Sequence, residues 1–547
     1  MYRGKTEPVC PINPNYDSYF YYAVKENGYY PNLRGDWSEP VLPHRDCQLG
    51  QSEAVAKSVD RLENDYYVIN DGPTGSGKGF VAMMVAQSLG YNVHVIAPAA
   101  VTATWEDNIS NFSSSTAMKV SSYDDEQGRI FIQSGSKKKV KYDLTDNMKE
   151  AIKKGCVIVV DEFQRSKNYD GYSKMLRVVC DYVRKSKKSK VFFCSFVPFD
   201  APKQLMIFSW IVGYTDSPLI DDESDLDEIE LLLDAARNVS KRQVNKALEK
   251  YKNTKKKGRK EGNKMYTLIV DLWAILWNVT TFGISGFEPK FNVDYYDIYY
   301  EIEDDDPKKK EIFEVIRAIN GGKQIEHVNH NTLLKRYQSL MLDYAVDLCI
   351  QWLEDGDRVT LGLNYNSIED RGVDAILKDV IAKVNKHFSK QKGYKYKYSY
   401  ANNVISGPTS SKKREDIASS YRTGETNFVV MNIAAGATGL SLQYTGEKNV
   451  ETKALFIPCN RFIDIIQFGG RFVRLNMAGD VKIYCLWAFI PLAEIPLTKN
   501  IMENNTRKKW IALKFVTKDR GPIKMPGEYQ TVNKDLDLVR VEDEDVD

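Results

Sequence analysis

The stretch GPTGSGKGF (72–80) decides the fold of this chain. Gly72, Gly77 and Lys78 stand where the phosphate-binding pattern G-x-x-x-x-G-K-[ST] requires them, while Gly79 replaces the final hydroxyl residue of that pattern. Such a loop binds phosphate when it joins a strand to a helix, so the flanking sequence decides its meaning. A tight turn with an exposed lysine is the alternative interpretation.

The flanks of this loop predict a nucleotide site. A strand-like run precedes the loop (65–71), and a helical pattern follows it (77–89). Backbone N–H groups at the amino end of such a helix can cradle phosphates, and Lys78 can reach the β and γ phosphates. We therefore predict ATP as the cofactor. The loop residues predicted to bind it are Gly72, Pro73, Thr74, Gly75, Ser76, Gly77, Lys78 and Gly79.

A second motif, VIVVDEFQRSKN (157–168), follows in the same part of the chain. An apolar strand that ends in two acids is typical of a metal-binding carboxylate beside one that acts on water. Asp161 is the predicted Mg²⁺ ligand, largely through water, and Glu162 is predicted to orient or deprotonate the attacking water. An acidic pair at a strand end is common in isolation, and its position after the loop favours the catalytic interpretation.

Short apolar runs alternate with helical patterns in two parts of the chain. This alternation predicts an α/β fold with two domains, each a parallel sheet flanked by helices. The predicted strands are 65–71, 92–99, 156–162 and 190–196 in the first domain, and 357–364, 426–433, 453–458 and 481–488 in the second. The expected segments are an N-terminal extension (1–44), a first domain (45–200), a mainly helical insertion or accessory domain (201–335), a second domain (336–490) and a C-terminal extension with an acidic tail (491–547).

The second domain carries a pair of arginines in DIIQFGGRFVRLN (464–476). On a helix, Arg471 and Arg474 are three residues apart and share one face. They could enter a γ-phosphate site as arginine fingers. The alternative interpretation is a pair of surface arginines, which any one helix can carry. The glycine-rich turn in NIAAGATGLSLQ (432–443) could contact both nucleotide and a nucleic-acid backbone.

Two weaker signals flank the first domain's motifs. Gln51 begins a helical pattern before the loop and is our choice for adenine recognition, with Gln48 as the alternative and Arg45 as a helper. The segment Ser195–Pro198 follows an apolar strand and could pass a phosphate-dependent movement to a neighbouring domain.

The composition is that of a globular protein with reduced cysteines. The 547 residues include 76 basic and 74 acidic ones, and this balance neither demands nor excludes a nucleic-acid partner. Eight cysteines occur without a C-x-x-C pair, which argues against a zinc site and favours a reducing, intracellular setting. The sequence contains neither a signal peptide pattern nor an apolar run long enough to span a membrane, so we expect a soluble protein with no membrane partner. High usage of Tyr, Lys and Asn suggests a viral or phage source.

Taken in order, these motifs resemble those of the superfamily 2 helicases and translocases over roughly residues 45–490. The series is Gln51, GPTGSGKG (72–79), APAAVTATW (97–105), DEFQRSKN (161–168), CSFVP (194–198), GATGLSLQ (436–443) and QFGGRFVR (467–474). DEFQRSKN resembles the D-E-x-H-x-x-K-N form of the Swi/Snf-type branch with Gln164 in place of histidine. The loop ending GKG resembles that of strawberry-notch-type helicases.

The resemblance implies two RecA-like domains with ATP and Mg²⁺ in the cleft between them and a nucleic acid across their tops. Lys78 would bind phosphate, Asp161 the metal and Glu162 the hydrolytic water, while Arg471 and Arg474 would complete the γ-phosphate site. The remaining residues that the resemblance implies are Gln467 lining the cleft, Thr438 and Gly439 coupling nucleic acid to ATP, and Thr102, Thr104, Ser410 and Arg414 contacting a nucleic-acid backbone.

These observations predict a nucleic-acid-stimulated ATPase that acts as a helicase or translocase, with DNA favoured over RNA. Gly79 removes the hydroxyl that usually ligates Mg²⁺, and Gln164 departs from the histidine of the motif. One alternative is therefore a nucleotide-dependent scaffold without turnover. Another is a motor subunit of a larger complex, with protein partners in replication, recombination or transcription, or in a restriction or packaging machine.

Overall fold

The computed structural model describes residues 49–532 with the exception of 74, 111–117, 124–129, 137–138, 221–225, 257–263, 285–291, 321–329, 368–372, 392, 437–439, 447–449, 460–461, 474–476, 490–507, 509–525 and 527–528. The described chain forms two compact units, one within residues 49–287 and the other within residues 288–532. The expected N-terminal extension, Arg45, Gln48, the acidic tail and most of the C-terminal extension lie outside the described residues.

The first unit is built on a five-stranded sheet whose neighbouring strands are all parallel. Its strand order is β1-β7-β6-β2-β3, and a separate antiparallel pair, β4 and β5, is inserted between β3 and β6. The strands are β1 (Tyr67–Asn70), β2 (Asn92–Ala97), β3 (Met118–Ser122), β4 (Phe131–Ser136), β5 (Lys139–Leu144), β6 (Cys156–Asp161) and β7 (Lys190–Cys194). All four predicted strands of this unit are confirmed; β3, β4 and β5 were not predicted.

Helices cover both faces of the first sheet. They are α1 (Leu49–Asn64), α2 (Lys78–Leu89), α3 (Thr102–Ser110), α4 (Asp146–Lys154), α5 (Gly171–Ser186), α6 (Pro202–Ile211), α7 (Glu230–Lys256) and α8 (Lys264–Thr280). Side chains of a strand alternate between faces, and β6 shows the result. Val157 and Val159 join the apolar cluster of α1 and α2. Ile158 and Val160 join the cluster of α4 to α8.

Residues 201–335, expected to form an accessory domain, are instead divided between the two units. The helices α6, α7 and α8 pack into the core of the first unit. The reason lies in α8, which is apolar on nearly every side and must be buried: Trp273 is fully buried and its Nε1 donates to Ser209 Oγ on α6 at 2.7 Å. Beyond α8, the N–H of Phe282 donates to the carbonyl of Ile69 at 2.9 Å and so extends the sheet edge at β1.

The second unit is built on a seven-stranded sheet, also parallel at every pairing. Its order is β10-β11-β9-β12-β13-β8-β14. The strands are β8 (Val293–Glu301), β9 (Arg358–Leu363), β10 (Val404–Ile405), β11 (Phe428–Asn432), β12 (Thr452–Phe456), β13 (Val481–Phe489) and β14 (Gln530–Val532). Strand β8, which comes from the expected insertion, pairs with β13 along its whole length.

The helices of the second unit complete its layers. They are α9 (Lys309–Ile319), α10 (His330–Glu354), α11 (Ala375–Phe388), α12 (Tyr400–Asn403), α13 (Ser411–Thr423), α14 (Ile433–Gly436) and α15 (Phe462–Gly469). The predicted α/β fold class, with two units whose parallel sheets are flanked by helices, is thus confirmed. Among the described helices of both units, no helix has the length and apolar character needed to cross a membrane.

Two adjacent leucines on α7 test whether this helix belongs to the first unit. Leu232 is fully buried in the core, whereas Leu231 is 55% exposed. We expect Leu232→Ala to lower the free energy of unfolding by about 2–5 kcal/mol, because a buried leucine leaves a cavity, and Leu231→Ala to change it by at most about 0.5 kcal/mol. Denaturant titration measures both. Equal effects of the two variants would contradict the packing of α7.

Candidate functional site

The backbone of the loop between β1 and α2 is held open by glycines. Gly75 and Gly77 have φ angles of 88° and 90°, in the left-handed region that favours glycine. Helix α2 begins at Lys78, and its N-cap residue, Gly77, has no side chain that could accept from the first N–H groups of the helix. The first N–H groups of a helix lack partners within it, so this turn presents donors to an anion.

Contacts within the loop fix its shape. The N–H of Gly72 donates to Asn70 Oδ1 at 2.9 Å, and Ser76 Oγ donates to the carbonyl of Pro73 at 2.8 Å. A Cβ on Gly72 would lie only 2.8 Å from Ser76 Oγ, so a larger residue here would displace the side chains that close the loop. These hydrogen bonds are made within the loop and hold it in a closed turn before the first residue of α2.

Lys78 and Gln51 both contact the loop carbonyls. Lys78 Nζ donates to the carbonyls of Gly72 and Pro73 at 2.9 and 3.1 Å. Gln51 is 3% exposed, and its Nε2 donates to the carbonyl of Ser76 at 2.7 Å. The structure therefore gives Gln51 a bracing contact with the loop, and adenine recognition by this residue stays a prediction.

Asp161 ends β6 at the same sheet edge. Its Oδ2 accepts a hydrogen bond from Trp105 Nε1 at 2.8 Å, and its Oδ1 accepts one from the N–H of Glu162 at 2.9 Å. Burial, together with the nearby Glu162 carboxylate, raises the pKa of Asp161 from 3.8 to about 6. The positive charge of Lys78 opposes this rise in pKa, which indicates that the loop and the carboxylate share one site.

Glu162 occupies a strained backbone conformation. Its φ of 52° lies in the left-handed region, which is uncommon for residues other than glycine. Gln164 Nε2 donates to Glu162 Oε2, so the residue that stands in place of the motif's histidine orients this carboxylate. Backbone strain of this kind costs of order 1–3 kcal/mol and clusters at functional sites. The strain supports a functional role for Glu162.

Polar atoms without partners lie around this edge. Asn70 Nδ2, Gln164 Oε1 and Ser195 Oγ are buried, and no hydrogen bond to the described residues satisfies them. The N–H of Ser195 donates to the carbonyl of Asn70 at 3.1 Å, which joins the ends of β7 and β1. Unsatisfied buried polar atoms are costly, and a polar ligand or water at this edge would offset that cost.

The site fits Mg²⁺ held with a nucleotide better than a metal held by protein alone. Carboxylate oxygens suit Mg²⁺, which is usually bound through one or two carboxylates together with substrate phosphates. Within the described part of the chain, no group of three or more His, Cys, Asp or Glu residues could hold a metal ion. Asp161 would thus be the protein ligand beside phosphate oxygens.

In the second unit, Arg471 is buried and holds a loop. It is 2% exposed, and its Nε and Nη1 donate to the carbonyls of Gln467 and Leu440 at 3.1 and 3.2 Å. The N–H of Leu442 donates to the carbonyl of Arg471 at 2.8 Å. Nearby in sequence, Phe468 of α15 packs closely on β9, because a Cβ on Gly362 would lie 2.8 Å from its ring. The arginine-finger role of Arg471 stays a prediction.

The residues predicted to contact nucleic acid have structural contacts of their own. Ser410 caps α13 by accepting from the N–H of Lys413, and Arg414 Nη2 donates to the carbonyls of Ser406 and Gly407, each at 2.9 Å. In the first unit, Thr102 Oγ1 donates to the carbonyl of Ala99 at 3.0 Å, and Thr104 is exposed on α3. Thr74, Thr438, Gly439 and Arg474 lie outside the described residues.

Sequence reasoning missed Trp105, whose indole joins Asp161 to the loop. Trp105 ends the motif APAAVTATW (97–105), in which the pattern assigned a role only to Thr102 and Thr104. A tryptophan gives no motif signal for a carboxylate partner, because its usual place is an apolar core. The ring of Trp105 also lies close to Gly79, where an added Cβ would be 3.0 Å from it. This contact joins two positions far apart in the sequence, so neither motif alone predicts it.

No protein-family model matches the chain, and no curated protein matches it in sequence. Its structure is similar to several helicase structures. MrfA, a DUF1998 helicase bound to DNA and AMPPNP, aligns with 95% of this chain and 55% of its own, at 10% identity and a TM-score of 0.48. Lhr of Mycobacterium smegmatis, bound to ssDNA and AMP-PNP, aligns with 85% of this chain at 9% identity and a TM-score of 0.42. The chain spans about half the length of Lhr, 48%. The SWI2/SNF2 ATPase core of Sulfolobus solfataricus, in complex with dsDNA, aligns with 82% of this chain and 89% of its own, at 13% identity and a TM-score of 0.31.

The raised pKa of Asp161 predicts a pH-dependent stability difference. Below about pH 3 the carboxyl is protonated in both states; as the pH rises from there towards 6 the unfolded chain, with its pKa of 3.8, loses this proton first, so the carboxyl costs stability. We expect the free energy of unfolding of Asp161→Asn, relative to the unchanged protein, to increase by at most about 3 kcal/mol across that window. Denaturant titrations between about pH 3 and pH 7 measure it. A difference that does not change with pH would contradict the burial of this carboxylate.

Proposed function

We propose that the chain is an ATP-dependent nucleic-acid translocase or helicase. The observation that carries this proposal is the arrangement at one edge of the first sheet. There the phosphate loop after β1 and the acidic pair after β6 flank the end of β7, with Lys78 acting on Asp161 and Glu162 held in a strained conformation. This arrangement supports phosphoryl transfer from a bound nucleotide to water.

Each residue at this edge of the first unit has a proposed role. The first N–H groups of α2 would bind the β and γ phosphates, and Lys78 would leave the loop carbonyls for the phosphate oxygens. Mg²⁺, when bound with ATP, supplies positive charge that neutralises the charge developing on the phosphates. Asp161 would hold that ion. Glu162, oriented by Gln164, would position the attacking water and accept its proton.

Residues of the second unit would complete the cycle. Arg471 and Arg474 are proposed as arginine fingers for the γ-phosphate, with Gln467 beside them and Gly439 contacting the nucleotide. Binding of one phosphate by both units would favour a closed state, and hydrolysis would release it. Repeated closure with alternating grip on a strand, through Thr102, Thr104, Ser410, Arg414 and Thr438, would move the protein along nucleic acid.

A basic face on α7 supports a nucleic-acid partner, with DNA favoured over RNA. Lys241, Arg242 and Lys246 are exposed on one side of this helix, while Val244 and Tyr251 are buried on the other. The basic run 251–264 begins in the last turns of this helix and continues beyond it, and its residues 257–263 are outside the described residues. Cationic side chains along a helix bind phosphates without regard to sequence, as a moving enzyme requires.

A nucleotide-dependent scaffold is the second candidate function. It is favoured by Gly79, because the loop lacks the hydroxyl that ligates Mg²⁺ in the usual pattern. In this case the chain would bind nucleotide and serve a larger assembly, as a subunit that contributes binding and little or no unwinding. The strained, oriented Glu162 favours turnover over this alternative.

Hydrolysis assays with a matched glutamate pair test the proposal. We expect the full chain to hydrolyse ATP with Mg²⁺, faster when single-stranded DNA, duplex DNA or RNA is added in parallel reactions. Glu162→Gln should lower the rate by about 10²–10⁴-fold, because it removes the general base. The control Glu63→Gln changes an exposed glutamate on α1 and should leave the rate unchanged. Hydrolysis that no nucleic acid stimulates, or that survives Glu162→Gln, would contradict the translocase, and ATP binding without hydrolysis would favour the scaffold.

The basic face of α7 predicts a change in salt dependence. The triple change Lys241→Ala, Arg242→Ala and Lys246→Ala should weaken binding to duplex DNA and flatten the plot of log affinity against log salt by up to about 3, roughly one per lost phosphate contact. Fluorescence anisotropy at several salt concentrations measures this slope. The matched control removes Lys185, Lys187 and Lys188, three exposed lysines near the end of α5. Equal slopes for the two triple variants would remove α7 from the interface.

A further inference from the structure

Trp105 touches both the loop and the acidic motif of the first unit. It lies on α3, is 4% exposed, and belongs to the apolar cluster of α1 and α2. Its indole Nε1 donates to Asp161 Oδ2 at 2.8 Å. Atoms Cη2 and Cζ2 of the same ring lie 3.0 and 3.2 Å from the point where a Cβ on Gly79 would stand. One side chain thus lies between the position of the missing hydroxyl and the carboxylate.

Gly79 and Trp105 are sterically dependent on each other. A serine or threonine at position 79 would bring its Cβ closer to the indole than ordinary van der Waals contact allows. The ring has little room to retreat, because it is packed in the core and held by its hydrogen bond to Asp161. Gly79 deprives the loop of a hydroxyl, and the same glycine leaves the space that the indole of Trp105 occupies beside Asp161.

We infer that the indole N–H of Trp105 positions Asp161 in a loop that lacks the usual hydroxyl, so that Trp105 and Gly79 form one exchangeable unit. In the usual pattern the Ser or Thr after the lysine contributes its oxygen to Mg²⁺. An indole N–H is a donor only and cannot ligate a metal. Trp105 is consequently a positioning residue: it orients the Asp161 carboxylate, and a bound Mg²⁺ would have one protein oxygen fewer than in the usual pattern.

The inference rests on the proposed nucleotide site and deepens it. It explains how a loop without its hydroxyl can belong to an active ATPase, since Asp161 keeps a fixed orientation by another route. It also predicts that a serine at position 79 is tolerated once the indole at position 105 is removed. A phenylalanine at position 105 lacks the N–H and is shorter than the indole, so it leaves space for a serine at position 79.

A double-mutant cycle tests the exchange. The variants are Trp105→Phe, Gly79→Ser and the double variant, with Trp210→Phe as the matched control on α6, a partly buried tryptophan whose ring packs against Tyr169. The first measurement is the affinity of the full chain for AMP-PNP, with and without Mg²⁺. We expect Trp105→Phe to weaken binding with Mg²⁺ by about 10–100-fold, the usual effect of losing a hydrogen bond to a charged group. Binding without Mg²⁺ should change little.

The double variant separates positioning from packing. Gly79→Ser alone should weaken Mg²⁺-dependent binding and lower the melting temperature, because serine meets the indole. In the Trp105→Phe background the same serine should strengthen Mg²⁺-dependent binding, since its hydroxyl then has space and restores an oxygen beside Asp161. A reversal of sign for one substitution between two backgrounds is not expected from loss of packing alone. Trp210→Phe should match the unchanged protein in affinity.

The possible outcomes distinguish this inference from the proposed function. If Trp105→Phe binds Mg²⁺ and AMP-PNP as tightly as the unchanged protein does, or if Gly79→Ser acts alike in both backgrounds, the inference is overturned. If the unchanged protein fails to bind AMP-PNP, the proposed function fails instead. The melting temperatures of the unchanged protein, the two single variants and the double variant, measured without nucleotide, then still test the Gly79–Trp105 contact. Additive shifts in melting temperature would contradict that contact.

Discussion

The carboxyl ends of three neighbouring strands, β1, β7 and β6, constrain the first unit more than any other feature. Parallel strands bring the chain segments that follow them to one sheet edge. The strand order therefore sets the phosphate loop, Ser195 and Asp161 side by side. A carboxylate held in this partly buried edge is costly to ionise, and Lys78 is the cation that acts on it. A phosphate with a divalent ion would satisfy both charges, which is why this edge is the proposed site.

Several side chains that a motif would assign to a ligand hold main-chain segments in this structure. Gln51 donates to the loop at Ser76, Arg471 donates to the carbonyls of Gln467 and Leu440, and Arg414 donates to those of Ser406 and Gly407. Such contacts set the shape of the turns that follow the strands. A nucleotide or a nucleic acid would have to compete with these carbonyls for the same donors, so a change of side-chain position is part of the proposed cycle. In the proposed cycle, helix α3 would couple the two ligands, because Thr104 is exposed on it while Trp105 contacts Asp161.

The sequence predicted the features that local patterns determine. Apolar runs such as CVIVVD became buried strands, and two of the predicted loop's glycines, Gly75 and Gly77, stand where the backbone has a positive φ. Strand pairing and packing between segments distant in the sequence could not be predicted from local patterns. The apolar helix α8 looked like part of an insertion, yet its burial places it in the first core, and β8 joins the second sheet through pairing with a strand far along the chain. Gly79 looked like a defect, and only the position of Trp105 gives it a physical reason.

Binding of a non-hydrolysable nucleotide tests the central claim most directly, because it isolates the loop from every later step. Titration calorimetry of the full chain with AMP-PNP and Mg²⁺ would compare the unchanged protein with Lys78→Ala, and with Lys57→Ala as an exposed lysine of α1. The proposed site predicts binding by the unchanged protein and by Lys57→Ala, and an affinity about 10–100-fold weaker for Lys78→Ala, the usual loss for a charged hydrogen bond. Equal affinity of all three proteins, or the absence of binding by the unchanged chain, would contradict it.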